Sequence, residues 1–220
     1  MTFKGWPDAA LAFYVGLEAD NSKPYWLAHR ATYDECVKAP FDELSAIVEK
    51  EFGPLRVFRP YRDARFSKDK TPYKTTAAAV TESQGGAAYY VQISAEGLFV
   101  GSGYYHLASD QLERFRNAVA DNRTGPKLAT AVGALRKQKY SVESREALKR
   151  VPRGFAADHP RADLLRMKGV HIGRTFGAPR WLHTAAAADR IVTTWRDAAP
   201  VNRWLDRHVG PSTLAPPEPD

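Results

Sequence analysis

The sequence predicts an α+β fold, with one domain over residues 1–210 built on a central, mainly antiparallel sheet and flanked by N-terminal and C-terminal helices. Two observations carry this. Apolar residues recur at helical spacing near both ends of the chain, and they alternate with polar residues in the middle. The alternating stretches Tyr89–Ser94 and Leu98–Tyr105 are joined by Ala95-Glu96-Gly97, a short turn ending in glycine and therefore a hairpin signal. A third observation sets the scale. At 220 residues, 44% hydrophobic and with five tryptophans, the chain can fill a sizeable core.

In order, Pro7-Asp8 opens a first helix whose apolar side is Leu11, Phe13, Tyr14 and Leu17. Asp20-Asn21-Ser22 breaks it and supplies cap residues for a second helix, expected from about Pro24 towards Ala39. Pro40 is expected to interrupt that helix before Phe41, Leu44, Ile47, Val48 and Phe52 carry a helical pattern to the Gly53-Pro54 stop. Leu55–Phe58 reads as a short strand, and alanine-rich Thr75–Thr81 as a hairpin arm. Beyond the central hairpin, Asp110 is expected to cap a helix through Val119, and Gly125-Pro126 to open another through about Lys137. Short strands follow at Tyr140–Glu143 and Val170–Phe176, with a brief helix near Asp163–Lys168 between them. Two further helices, Thr184–Trp195 and Val201–His208, end the domain, and residues 211–220 form a flexible Pro-rich tail.

Charge is the feature that points to function. Arg59–Lys74 holds six cations and two anions among two tyrosines, a phenylalanine and two prolines. Lys149–Lys168 also holds six cations against Asp158 and Asp163. Each run is +4 while the whole chain is +7, so the remainder is close to neutral. Cations gathered in this way suit contact with an anionic partner. A lone cysteine, Cys36, excludes an internal disulfide and suits a reducing compartment. With no apolar leader at the N-terminus and no long apolar run, a cytoplasmic protein with no membrane span is expected.

In the first run Arg59, Arg62 and Arg65 present planar guanidinium forks suited to phosphate or carboxylate, and Lys70 and Lys74 add point charges. Asp63 is placed to fix one arginine. The alternative is that these arginines pair with carboxylates and brace a long loop. In the second run Arg150 and Arg153 lie in a stretch without regular structure, where ligand contacts tend to occur. Asp158 there either orients His159 as an acid–base group or caps the following helix. Asn21, Lys23, Trp26, His29 and Arg30 make a third candidate. One helical turn puts Trp26 beside His29 and Arg30, either to stack on a ring-bearing anion or to place Trp26 in the core.

Several chemistries lack their signature. The six histidines are scattered without a His-x-x-x-His, so no metal site is expected. There is no phosphate-binding Gly-x-x-x-x-Gly-Lys-Ser/Thr loop, and Gly97, Gly101 and Gly103 accompany strands rather than forming a dinucleotide fingerprint. The sequence therefore carries no metal or dinucleotide signature and leaves the cofactor unknown.

The motif Phe58-Arg59-Pro60-Tyr61-Arg62-Asp63-x-Arg65-Phe66-Ser67-Lys68-Asp69-Lys70-x-Pro72-Tyr73-Lys74 resembles a conserved-hypothetical family, domain of unknown function 2461. Asn21-Ser22-Lys23, His29-Arg30, Tyr89–Ser94 and Leu148–Gly154 with Asp158-His159-Pro160 support the resemblance, which spans nearly the whole chain. It implies membership and no catalytic residues. The function expected from the residues is binding of a phosphorylated small molecule or nucleotide at a conjoined basic and aromatic site. Single-stranded nucleic acid is a further partner that cations among aromatics would suit. One alternative is an enzyme on a phosphorylated or acidic substrate, with His159, His29 or Asp63 as acid–base group. The other is an interaction protein with internally paired arginines.

Overall fold

A computed structural model describes residues 2–63 and 69–214 of the 220-residue chain. Helices α1 (Asp8–Ala19), α2 (Lys23–Ala28) and α3 (Arg30–Thr32) lead through a π-helical turn, Tyr33–Lys38, into α4 (Ala39–Phe52). Strands β1 (Arg56–Val57), β2 (Thr76–Glu82), β3 (Ala88–Ser94) and β4 (Gly97–Tyr104) come next, followed by α5 (Ser109–Ala120) and α6 (Gly125–Lys137). After β5 (Ser141–Glu143), α7 (Ala162–Leu165) and β6 (Val170–Gly177), a 3₁₀ turn at Arg180–His183 leads to α8 (Ala186–His208). The strands form an antiparallel sheet in the order β1-β2-β3-β4-β6-β5, so the fold is α+β as the sequence predicts.

The chain gathers into two compact units that interleave along the sequence rather than meeting at a linker. The first comprises residues up to Thr81 with Tyr90–Val100 and Thr175–Thr194; the second comprises Glu82–Tyr89, Gly101–Arg174 and the chain from Trp195 onward. In the first unit Phe3, Trp6, Phe13, Tyr14, Trp26, Tyr33 and Phe41 are buried and meet largely edge-on, the arrangement that ring quadrupoles favour. In the second, Phe115, Val119, Leu128 and Val132 from α5 and α6 pack with Trp204 and Leu205 of α8.

Two proline expectations are corrected. Pro40 does not interrupt a helix: the preceding π turn carries the chain forward, with the Ala39 N–H donating to the Asp34 carbonyl, and Pro40 sits in the first turn of α4 where its missing N–H costs little. Residues 186–208 form one helix, not two, and Pro200 lies inside it. Pro200 is exposed, while Ala198, Val201, Trp204 and Leu205 are buried; packing of that face outweighs the roughly 3 kcal/mol penalty of an internal proline.

Asp110 does not cap α5; it lies within the helix's first turn. Its carboxylate accepts from the Thr213 N–H (2.8 Å), the Ser212 hydroxyl (2.8 Å) and Arg114 Nη1 (3.0 Å). Arg114 in turn donates to the carbonyls of Val209 (2.6 Å) and Pro211 (2.8 Å). Residues 211–214 of the Pro-rich tail are therefore tied to α5; residues 215–220 lie outside the described residues.

The turn between β3 and β4 demands its glycine. Gly97 has φ +102°, and a Cβ there would fall 2.1 Å from the Gly177 carbonyl oxygen. Gly97→Ala is expected to destabilise by at least about 2 kcal/mol, read as a lower urea midpoint at unchanged slope. A second expectation concerns acid. The Thr213 N–H, followed by the Ser212 and Arg114 bonds, holds the Asp110 carboxyl well below the usual range. Its contribution is complete above the ordinary value near ~3.9 and is lost as pH falls towards the lowered one. The Thr213 amide resonance of the folded protein should therefore hold its position through about pH 4 and move only as pH falls towards the lowered value, whereas Asp110→Asn should displace it already at neutral pH.

Candidate functional site

The first basic run folds back on itself. Tyr61 and Tyr73 are antiparallel partners, flanked by hydrogen bonds from the Arg62 N–H to the Pro72 carbonyl (2.9 Å) and from the Lys74 N–H to the Pro60 carbonyl (2.8 Å). Side chains alternate across such a pair, so Tyr61 and Tyr73 share one face while Arg62 and Lys74 take the other. The sequence thus makes a two-faced ribbon, aromatic on one side and cationic on the other.

The aromatic face is anchored. Tyr73 is buried and stacks on Trp26 with ring centres 4.5 Å apart and planes 9° apart. Tyr61 lies 5.9 Å from Trp26 and 5.6 Å from Tyr73. Asn21 secures the backbone: its Nδ2 donates to the Tyr73 carbonyl (3.0 Å), and the Tyr73 N–H donates to its Oδ1 (3.1 Å). One side-chain amide therefore satisfies both polar groups of a buried residue, as a neighbouring strand would. Ser22 caps α2 by accepting from the Tyr25 N–H (3.3 Å), which sets Trp26 one turn in.

Of the two positions expected for Trp26, it takes the one in the core: it is 2% exposed, and one ring face is covered by Tyr73. His29 is likewise committed, stacked on Tyr25 at 4.0 Å with Nδ1 donating to the Tyr25 carbonyl (2.9 Å). Arg30 pairs with Asp34 (2.7 Å) and lies 5.7 Å over the Trp26 ring; that hydrogen bond raises its proton affinity further. Lys23 is exposed.

On the cationic face, Arg62 pairs with Asp69, which also accepts from the Thr71 N–H (3.0 Å) and hydroxyl (2.7 Å). These two Thr71 bonds, with Arg62 behind them, hold the Asp69 carboxyl below its ordinary range. Lys74 lies 5.6 Å from the Phe58 ring centre, and Arg56 lies 5.0 Å from the same ring. Burial, then the charges of Arg59 and Arg62, push the Lys74 ammonium down. Arg59 is exposed and pairs with no carboxylate among the described residues. Asp63 and Lys70 are exposed, and Arg65 lies outside the described residues.

The second basic run belongs to the other unit. Arg150 and Arg153 are exposed in irregular chain, without an ion pair among the described residues. His159 Nδ1 accepts from the Arg161 N–H (3.1 Å), and no side chain caps α7, so Asp158 does not fill that role. Arg161 is 7% exposed and donates to the carbonyls of Val119 (2.6 Å) and Ala120 (2.9 Å) and to Asn122 (2.9 Å). A guanidinium at the C-terminus of α5 satisfies its last carbonyls and complements the helix dipole, so this cation is structural. The clamp by Asn21 is what sequence reasoning missed; a bare Asn-Ser pair before a helix signals a cap and says nothing of a partner at position 73.

Asn21→Ala should cost about 1–3 kcal/mol, since it leaves the N–H and C=O of buried Tyr73 without partners. Asn21→Asp keeps the acceptor and should cost less than the alanine variant. Chemical denaturation of the three proteins measures both differences.

No curated protein and no solved structure matches the chain. Residues 9–204 match the family described as Conserved hypothetical protein (DUF2461), which is most of the 220-residue chain. The ribbon just described is formed by residues 60–62 and 72–74 of the motif that suggested the resemblance, and the chain belongs to the DUF2461 family.

Proposed function

We propose that the protein binds a phosphorylated small molecule on the cationic face of the ribbon, with Arg62 and Lys74 as the charge-bearing contacts, Arg59 adding its charge at the ribbon's end and Lys70 at the margin. The observation that carries this reading is the mutual crowding of the three cations. Burial first, and then the charges of Arg59 and Arg62, destabilise the charged form of Lys74, while Asp69 pairs with Arg62. Like charges held together oppose folding in the free protein. A bound dianion reverses the sign of that interaction, and a guanidinium fork beside an ammonium suits the geometry and charge of a phosphate monoester.

The aromatic side favours phosphoryl recognition over base stacking. Trp26 and Tyr73 are buried, whereas Tyr61 is 46% exposed and lies on the face opposite Arg62 and Lys74. A run of stacked bases needs several open rings beside the cations.

The test is thermal unfolding at low salt with inorganic phosphate, sugar phosphates, nucleotides and short single-stranded oligonucleotides. A ligand at one hundred times its dissociation constant adds about 2.7 kcal/mol, a rise of roughly 5 °C or more. Arg62→Ala should abolish the rise. Lys74→Met should also abolish it, while leaving the unliganded midpoint equal to or above wild type, because a repelled charge is removed and the aliphatic stem is kept. A lower unliganded midpoint for Lys74→Met, with the phosphate response retained, would overturn the reading.

A further inference from the structure

Within the second unit, three backbone segments lie side by side at the end of β4. Ala147 and Met167 are antiparallel partners, with the Leu148 N–H donating to Arg166 (2.8 Å) and the Lys168 N–H to Glu146 (3.2 Å). The Leu107 N–H donates to the Lys168 carbonyl (3.1 Å). Gly169 permits the approach: a Cβ there would fall 2.6 Å from the Tyr105 carbonyl oxygen. The side chains brought together are Tyr105, His106, Ser144, Arg145, Glu146 and Lys168, around a cleft of about 110 Å³.

The polar groups of this cleft divide into those already used and those still able to donate. The Ser144 hydroxyl donates to the Glu146 carbonyl (2.6 Å) and accepts from the Lys168 N–H (3.0 Å), so it is spent on shaping the loop. Glu146 pairs with Lys168 (3.0 Å), whose hydrogen bond and charge keep the carboxyl below its ordinary range. Tyr105 is 61% exposed yet fixed on both sides. His171 stacks on it at 4.5 Å and 11°, with Nε2 donating to the Tyr105 carbonyl (2.8 Å), and Arg145 Nη1 donates to its hydroxyl oxygen (3.0 Å). Because that hydroxyl accepts from Arg145, its own proton is left to donate elsewhere. Arg145 uses one N–H on Tyr105 and pairs with no carboxylate among the described residues. The lining is cationic by one charge even with His106 neutral.

We infer that this cleft is a second anion site, for a small oxyanion of the size of phosphate or a short carboxylate, held by Arg145, Lys168 and the Tyr105 hydroxyl. Volume sets the ligand class. A cleft of about 110 Å³ falls well below the ~300 Å³ at which pockets for drug-sized molecules begin, so a nucleotide is excluded from it while a single oxyanion fits. Lys168 closes the second basic run, which gives that run a ligand contact other than the exposed Arg150 and Arg153. The inference does not depend on the ribbon in the first unit.

The test is titration of the full-length, ¹⁵N-labelled protein with inorganic phosphate and, separately, with acetate, at constant ionic strength maintained with chloride. Amides of residues 105–107, 144–148 and 168 should shift saturably with at least one of the two, which also tells phosphate from carboxylate. Arg145→Gln should raise the dissociation constant roughly tenfold or more, and Tyr105→Phe, which keeps the ring, roughly two- to tenfold. Arg62→Gln should leave it unchanged, separating this site from the ribbon. Shifts that stay linear with both anions, or an Arg145→Gln protein that binds as wild type does, would overturn the inference.

Discussion

The bidentate bond between Asn21 and the backbone of Tyr73 is the constraint on which the candidate site depends. Chain that leaves a sheet with its N–H and C=O unpaired cannot be buried. Asn21 removes that obstacle at one residue, and burial of Tyr73 against Trp26 then becomes favourable. With Tyr73 fixed, its antiparallel partnership with Tyr61 fixes the other arm. Strand alternation does the rest, turning Arg62 and Lys74 away from the aromatic cluster. A helix cap and a strand pairing far apart in sequence are thus parts of one device.

The same logic separates two kinds of cation that look alike in the sequence. Arg161 is buried and its donors are consumed by the end of α5. Arg59 and Arg62 are held near Lys74, with Arg62 paired to Asp69. The first arrangement stabilises the fold by satisfying carbonyls that would otherwise be orphaned. The second satisfies no buried carbonyl, and the mutual repulsion of its charges opposes folding mildly.

The sheet, its hairpin and most helices were legible because local periodicity and turn chemistry act over a few residues. Tyr89–Ser94, Ala95-Glu96-Gly97 and Asp8–Ala19 need nothing distant to be read. Pro40 and Pro200 were misread because propensity penalises both, whereas a π turn in one case and a buried helix face in the other decided the outcome. In the candidate site, the basic run itself was legible as charge. Burial of Trp26 was one of two readings the helix allowed, whereas the clamp by Asn21 and the cleft at Tyr105 were not legible, since each depends on a partner 40 or more positions away.

The depressed proton affinity of Lys74 has a chemical consequence apart from binding. The neutral amine is the nucleophile, and its fraction at a given pH rises as proton affinity falls. Lys74 is therefore favoured over a lysine of ordinary proton affinity in reaction with acylating reagents. Acylation would erase the charge that Arg59 and Arg62 oppose, so the modified side chain loses nothing electrostatically in the free protein. An occupying anion has the contrary effect, restoring the proton and with it the amine's inertness.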